Sequence, residues 1–135
     1  MKSRDTLLRL RRFQCDEKRR RVAQIEMMIA EFTRMSGDLA REIAAEEQRA
    51  RISDTSHFAY PTYARAARVR RDNLVSSIDD LNGQLEDAKA ALQEAQDEMA
   101  KAESLDGRDK TGERLPDLSR ERPDAGFVGF GIVPA

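Results

Sequence analysis

Two arrays of apolar residues with heptad spacing constrain this chain more than any other feature. The first array steps by three and four residues from Val22 through Ile25, Ile29, Phe32, Ser36, Leu39 and Ile43, and Glu46 and Ala50 continue it. The second array steps in the same way from Tyr60 to Ala102. This spacing places residues on one side of a helix, at the a and d positions of a coiled coil. The arrays therefore predict two long helices that share a narrow apolar seam.

The segment between the two arrays predicts a turn. It reads "RISDTSHFAYP" and contains the N-cap candidates Ser53, Asp54 and Ser56. Pro61 is tolerated in the first turn of a new helix but not inside a continuous one. We therefore expect helix one at about 3–51, the turn at about 52–60 and helix two at about 61–105. The predicted fold class is all-α, a long antiparallel two-helix coiled-coil hairpin over residues 1–105.

The composition changes after Leu105. Residues 106–135 hold five of the seven glycines and three of the four prolines. Both residue types oppose a long helix. Residues 106–135 are therefore expected to form a flexible, disordered C-terminal tail with an apolar end.

The distribution of charge supports the antiparallel arrangement. Residues 1–21 hold nine Lys and Arg against three acids, whereas residues 79–106 hold nine acids against two lysines. Each block opposes the macrodipole of its own helix, and an antiparallel pairing lays the two blocks side by side. If Val22 faces Leu92 in this pairing, Cys15 lies at the level of Met99.

The residues that usually carry catalysis or metal binding are sparse. His57 is the only histidine and Cys15 the only cysteine, so neither has a partner with ligand spacing. We therefore expect a protein that is not an enzyme, with no cofactor, no metal and no small-molecule substrate. The lack of long apolar runs and the single cysteine favour a cytoplasmic location.

A basic run near the N-terminus is the first candidate binding surface. It includes Arg9, Arg12, Arg19 and Arg20, which lie off the seam. Such a run can bind an acidic protein surface or nucleic acid, or it can be a solvated face paired with helix two. The net charge of −1 and the lack of a recognisable nucleic-acid-binding fold disfavour nucleic acid.

An aromatic cluster at the turn is the second candidate. Phe58, Tyr60 and Tyr63 lie within the segment "SHFAYPTY" beside His57. They can plug the open end of the seam, or they can form an exposed contact site for a partner. Both interpretations remain open at the level of the sequence.

Two stretches, "MKSRDTLLRLRRFQCDEKRRRVAQIEMMIAEF" and "ARISDTSHFAYPTYARAARVRRDNL", resemble the flagellar export protein FliJ family in its alphaproteobacterial form. The resemblance covers roughly residues 1–105. It implies a soluble stalk and chaperone of the flagellar type III export apparatus, peripherally associated with the flagellar basal body. In that family the end with both termini engages the hexameric export ATPase, and the other end reaches toward the membrane export gate. Export chaperones are further partners.

These observations together predict a non-enzymatic stalk that links the export ATPase to the gate and assists flagellum assembly. The resemblance assigns Arg9, Arg12, Arg19 and Arg20 to the ATPase contact. It assigns Phe58, Tyr60 and Tyr63 to the contact with the gate. The alternatives are a generic coiled-coil adaptor or dimerisation protein unrelated to flagella, and a nucleic-acid binder that uses the basic helix.

Overall fold

The computed structural model describes the backbone of residues 2–121 and the side chains of residues 3–108. Within this part the fold is all-α, with α1 spanning Lys2–Ala50 and α2 spanning Thr62–Glu121. The two helices run in opposite directions and pack against each other as a hairpin. The fold class predicted from the heptad arrays is confirmed.

The chain divides into two compact units, and each unit contains a segment of both helices. The turn unit comprises Asp16–Glu94, and the terminal unit comprises Met1–Cys15 with Ala95–Ala135. The buried apolar residues of the turn unit are Ile25, Ile43, Tyr60, Ala64, Ala67 and Leu81, and those of the terminal unit are Leu8, Cys15 and Ala102. Each unit is thus held by a single line of apolar contacts.

The seam predicted from the heptad spacing is the packed interface in both units. Every a and d position of the second array, from Tyr60 to Ala102, is buried or half-buried. The first array is buried or half-buried from Val22 to Glu46, but Ala50 at its end is exposed, as is Lys18, the d position before Val22. Of the side chains described, Ile25 and Cys15 are the largest that are fully buried, at 1% exposed each. The core is therefore thin, as two helices alone can bury only one narrow face.

The facing register in the turn unit differs from the expected one by about one helical turn. Pairing Val22 with Leu92 places Ile43 opposite Arg71, but Ile43 packs with Ala64 and Ala67. The expectation aligned a positions with a positions. In two helices that run in opposite directions, each a position of one helix lies opposite a d position of the other.

Two contacts in the terminal unit give the same register. Arg11 forms an ion pair with Glu98 at 3.7 Å, and one heptad earlier Arg4 donates to the carbonyl of Leu105 at 3.3 Å. Cys15 lies four residues after Arg11 on α1, so its neighbour on the antiparallel α2 lies a similar distance before Glu98. That position is the half-buried Ala95. The expected neighbour, Met99, adjoins Glu98 and lies about one turn away, roughly 6 Å along the axis.

We expect the substitution Ala95→Cys to permit an intramolecular disulfide with Cys15. Opposed seam positions can bring Cα atoms within the range of about 4.4 to 6.8 Å that a disulfide needs. Mild oxidation should produce a fast-migrating monomer on a non-reducing gel, with loss of both free thiols by mass spectrometry. Met99→Cys is the matched control and should give little intramolecular product. Efficient crosslinking through Met99→Cys, with none through Ala95→Cys, would contradict the register.

The helix boundaries at the turn lie close to the predicted ones, whereas α2 extends past the predicted end at residue 105 to Glu121. A single glycine such as Gly107 costs a helix only about 1 kcal/mol relative to alanine, so it does not by itself end one. The flexibility predicted for the tail stays a prediction, because the side chains after residue 108 and all of residues 122–135 lie outside the described residues.

Candidate functional site

The backbone at the end of α1 forms a tight helix stop. Arg51 has a φ of 59°, in the left-handed region that favours glycine. Its N–H bonds the carbonyl of Gln48 at 3.3 Å, and the N–H of Ile52 bonds the carbonyl of Glu47 at 3.2 Å. These two bonds are the Schellman pattern. Ile52 then packs on the buried cluster around Ile43, which fixes the direction in which the chain leaves α1.

The turn itself is built from consecutive local hydrogen bonds. A carboxylate oxygen of Asp54 accepts from the N–H of Ser56 at 3.0 Å and from its hydroxyl at 2.7 Å. These bonds lower the pKa of Asp54. The N–H of Ala59 donates to Nδ1 of His57 at 3.0 Å, so the imidazole proton is assigned to Nε2. Asp54 thus stabilises the interior of the turn and does not cap the start of α2. At the start of α2 the carbonyl of Pro61 accepts a hydrogen bond from the N–H of Arg65.

Tyr60 joins the turn to both helices through a three-residue network. Its ring is only 4% exposed, and its hydroxyl donates to Glu47 at 2.6 Å. Arg68 donates to the hydroxyl of Tyr60 at 2.7 Å and to the carboxylate of Glu47 at 2.7 Å. The hydrogen bond from Tyr60 and then that from Arg68 hold the pKa of Glu47 below its ordinary value of 4.5. The guanidinium of Arg65 lies 5.2 Å from the ring centroid, within cation–π range.

The structure separates the three aromatic residues that the sequence groups together. Tyr60 fills the end of the seam, as its place in the second heptad array already indicated. Phe58 is 95% exposed and stacks on His57, with ring centroids 4.8 Å apart. Tyr63 is 46% exposed, and its hydroxyl donates to Glu42 across the hairpin, which raises the pKa of Tyr63. Phe58 is therefore the aromatic side chain most accessible to a partner.

The four arginines of the basic run differ in their surroundings. Arg19 pairs with Asp16 at 3.1 Å and Arg20 with Glu17 at 3.2 Å, each within one turn of α1. Arg9 and Arg12 are exposed, and no carboxylate among the side chains of residues 3–108 lies within ion-pair distance of either. Of these four arginines, Arg9 and Arg12 are therefore the two whose positive charge is not balanced by a nearby carboxylate of the described residues.

Exposed apolar side chains accompany these arginines and were missed by the sequence analysis. Leu10 is 47% exposed and Phe13 57% exposed, on the same terminal unit as Arg9 and Arg12. Their positions outside the a and d pattern were the available signal, because an apolar residue off the seam has no partner in a two-helix hairpin. The basic run is thus mixed, with both charged and apolar contact area.

The described part of the chain offers little to a small ligand. No group of three or more His, Cys, Asp or Glu side chains in it is placed to hold a metal ion. An open groove of about 490 Å³ lies between the helices of the turn unit, over Phe32, Met35, Leu39 and Leu74. None of the described helices is long and apolar enough to cross a membrane.

No family model, curated protein or solved structure matches this chain. The all-α hairpin is established from the chain's own structure. No family match supports the resemblance of residues 1–32 and 50–74 to FliJ, which stays a prediction from the sequence.

We expect the Glu47→Gln variant to lose stability in a way that depends on pH. Because the pKa of Glu47 is lowered by folding, its carboxylate stabilises the hairpin above about pH 4.5, and this contribution is lost as the pH falls through the lowered pKa. The difference in free energy of unfolding between wild type and variant should be largest at neutral pH and should shrink in acid. Urea titrations followed by circular dichroism at several pH values measure it.

The matched control is Glu46→Gln. Glu46 bonds Arg49 on its own helix and takes no part in the Tyr60 network. Its substitution should have a smaller effect at neutral pH. An equal loss in the two variants would show that the network around Tyr60 does not hold the turn.

Proposed function

We propose that this chain is a non-enzymatic coiled-coil stalk of the flagellar type III export apparatus. It links the export ATPase to the membrane export gate and thereby assists flagellum assembly. The observation that carries the proposal is a hairpin turn that is tied down by buried Tyr60 while it exposes almost the whole of Phe58. The FliJ-like stretches of sequence supply the identity of the apparatus. A pull-down with the full chain should retrieve the export ATPase and gate proteins from a lysate of motile cells.

The ATPase contact is proposed for the terminal unit, and Arg9 and Arg12 are its central residues. Arg19 and Arg20, which lie in the turn unit, are also proposed to contact the ATPase, but each already has an acidic neighbour on α1. An arginine without such a neighbour can donate its full set of N–H groups to a carboxylate of a partner. The proposed ATPase surface is therefore acidic.

We expect the double substitution Arg9→Glu and Arg12→Glu to weaken binding of the purified export ATPase by at least about tenfold, because like charges then face each other across the interface. Both side chains are exposed and off the seam, so circular dichroism should report unchanged helix content. The comparison variant, Arg19→Glu with Arg20→Glu, should have a smaller effect. Unchanged ATPase affinity in the first variant at moderate salt would remove these arginines from the proposal.

The gate contact is proposed for the turn, with Phe58 as the anchor. An aromatic ring supplies a large apolar area with few rotatable bonds, and single aromatic anchors often dominate small interfaces. Tyr63 lies on the first turn of α2 and adds a half-exposed ring. Tyr60 contributes by holding the turn in shape, and its buried ring is not offered to the partner.

We expect Phe58→Ala to reduce affinity for the purified gate protein by about 2 kcal/mol, roughly thirtyfold. The melting temperature should stay within about 1 °C of wild type, since the side chain is 95% exposed. Val69→Ala is the matched control, because Val69 is also exposed, at 58%, but lies on α2 away from the turn. Equal gate binding by wild type and Phe58→Ala would refute the proposed role of the turn.

Further partners follow from the same proposal. Export chaperones would bind the stalk through its helices, and the chain would lie in the cytoplasm at the flagellar basal body, held there by its partners alone.

A generic adaptor or dimerisation protein is the second candidate, and it is favoured by the exposed Met27, Met28 and Met35 of α1. Retrieval of the export ATPase and gate proteins in the pull-down would favour the stalk over a generic adaptor. Salt-dependent retention of the chain on DNA would point instead to a nucleic-acid binder.

A further inference from the structure

α1 carries a second stripe with heptad spacing on the side away from the seam. Its members are separated alternately by four and three residues, and all are exposed or half-buried: Met27, Glu31, Arg34, Asp38, Arg41 and Ala45. Residues at this spacing form a continuous line along one face of a helix. Neither the hairpin seam nor the two contacts proposed above uses this outer stripe.

The charges of the outer stripe alternate and have a symmetric spacing. Glu31, Arg34, Asp38 and Arg41 follow each other at intervals of three, four and three residues. Arg34 bonds Glu31 at 2.6 Å and Asp38 at 2.9 Å, and Asp38 also accepts from Arg41. The four charges read negative, positive, negative, positive along α1. Read in the reverse direction each charge is replaced by its opposite, so the stripe is complementary to an antiparallel copy of itself. A copy of the helix running in the opposite direction brings Glu31 opposite Arg41 and Arg34 opposite Asp38.

The sizes of the apolar residues follow the same symmetry. In that alignment Met27, which is 72% exposed, faces the small and exposed Ala45 of the other copy. A large side chain thus meets a small one at each end of the charged stretch. Met28 and Met35, at 42% and 37% exposed, lie beside the stripe and extend its apolar area. Methionine side chains are flexible and adapt well to a partner surface.

We propose that the outer stripe of α1 binds a second copy of this chain, with the two α1 helices antiparallel across a two-fold axis near Ser36. Such an interface is isologous, so each contact occurs twice. The methionines supply the buried apolar area. The ion pairs select the antiparallel direction, because a parallel alignment sets Glu31 on Glu31 and Arg34 on Arg34.

The self-complementary order of charge identifies the partner of the outer stripe as a second copy of this chain. An unrelated helix would need the same alternation at the same spacing, whereas another copy has it by construction. The net charge of −1 adds almost no long-range repulsion between two copies. The stripe lies within the turn unit and includes none of Arg9, Arg12 and Phe58, the residues that the proposed stalk uses for its contacts.

The test is the oligomeric state of the full-length chain, measured by sedimentation velocity over a range of micromolar concentrations. We expect a monomer–dimer equilibrium for the wild type. The double substitution R34E and R41E makes the stripe wholly acidic, so the dimer should weaken by at least about tenfold. A wild type that stays monomeric at every concentration overturns the proposal, whether or not the stripe binds a helix of another protein.

A fourfold charge exchange supplies the matched variant. With E31R, R34E, D38R and R41E each position keeps an oppositely charged neighbour on its own helix, and the stripe is again complementary to itself. This variant should dimerise as the wild type does. It should not form mixed dimers with the wild type, since like charges then meet at every pair. Free exchange between tagged variant and untagged wild type, or a dimer that persists in R34E with R41E, overturns the charge-directed interface.

Discussion

The hydrogen-bonded network of Tyr60, Glu47 and Arg68 fixes how the two helices face each other. A heptad seam repeats every seven residues and most of its side chains remain partly exposed, so a slide by one heptad would again set a seam of the same kind against its partner. The network removes this freedom at the turn, because a tyrosine from the loop, a glutamate from α1 and an arginine from α2 must meet within about 2.7 Å of one another. Once the facing residues are set at the turn, heptad periodicity fixes the register through the rest of the turn unit.

Among the side chains of residues 3–108, most ion pairs lie within one helix rather than across the seam. Arg34 with Glu31 and Arg20 with Glu17 are local pairs of this kind, while Arg11 with Glu98 crosses between α1 and α2. Exposed pairs contribute about 0 to 1 kcal/mol each. The opposite charges of residues 1–21 and 79–106 therefore favour the antiparallel direction as a whole, and few of them are individually bonded across the hairpin. This leaves Arg9 and Arg12 available to a partner.

Periodicity predicted the two helices and the residues of the seam, and Pro61 with the N-cap candidates predicted the position of the turn. It did not predict the facing register, because spacing within one helix says nothing about which residue of the other helix lies opposite. The sequence grouped Phe58 with Tyr60 because both are aromatic and only two positions apart. Their difference arises from the heptad frame, in which Tyr60 falls on the seam and Phe58 does not. Glu47 was missed because its partners are 13 and 21 residues away and depend on the path of the turn.

Cys15 gives the terminal unit an internal probe of its own motion. Its thiol is unpaired and 1% exposed at the centre of a thin seam, so a thiol reagent can reach it only when α1 and α2 part locally. In the limit where closing is faster than modification, the rate of labelling is proportional to the open population and yields the free energy of local opening. The cysteine that the sequence already contains thus allows the stability of this seam against local opening to be measured without an engineered substitution.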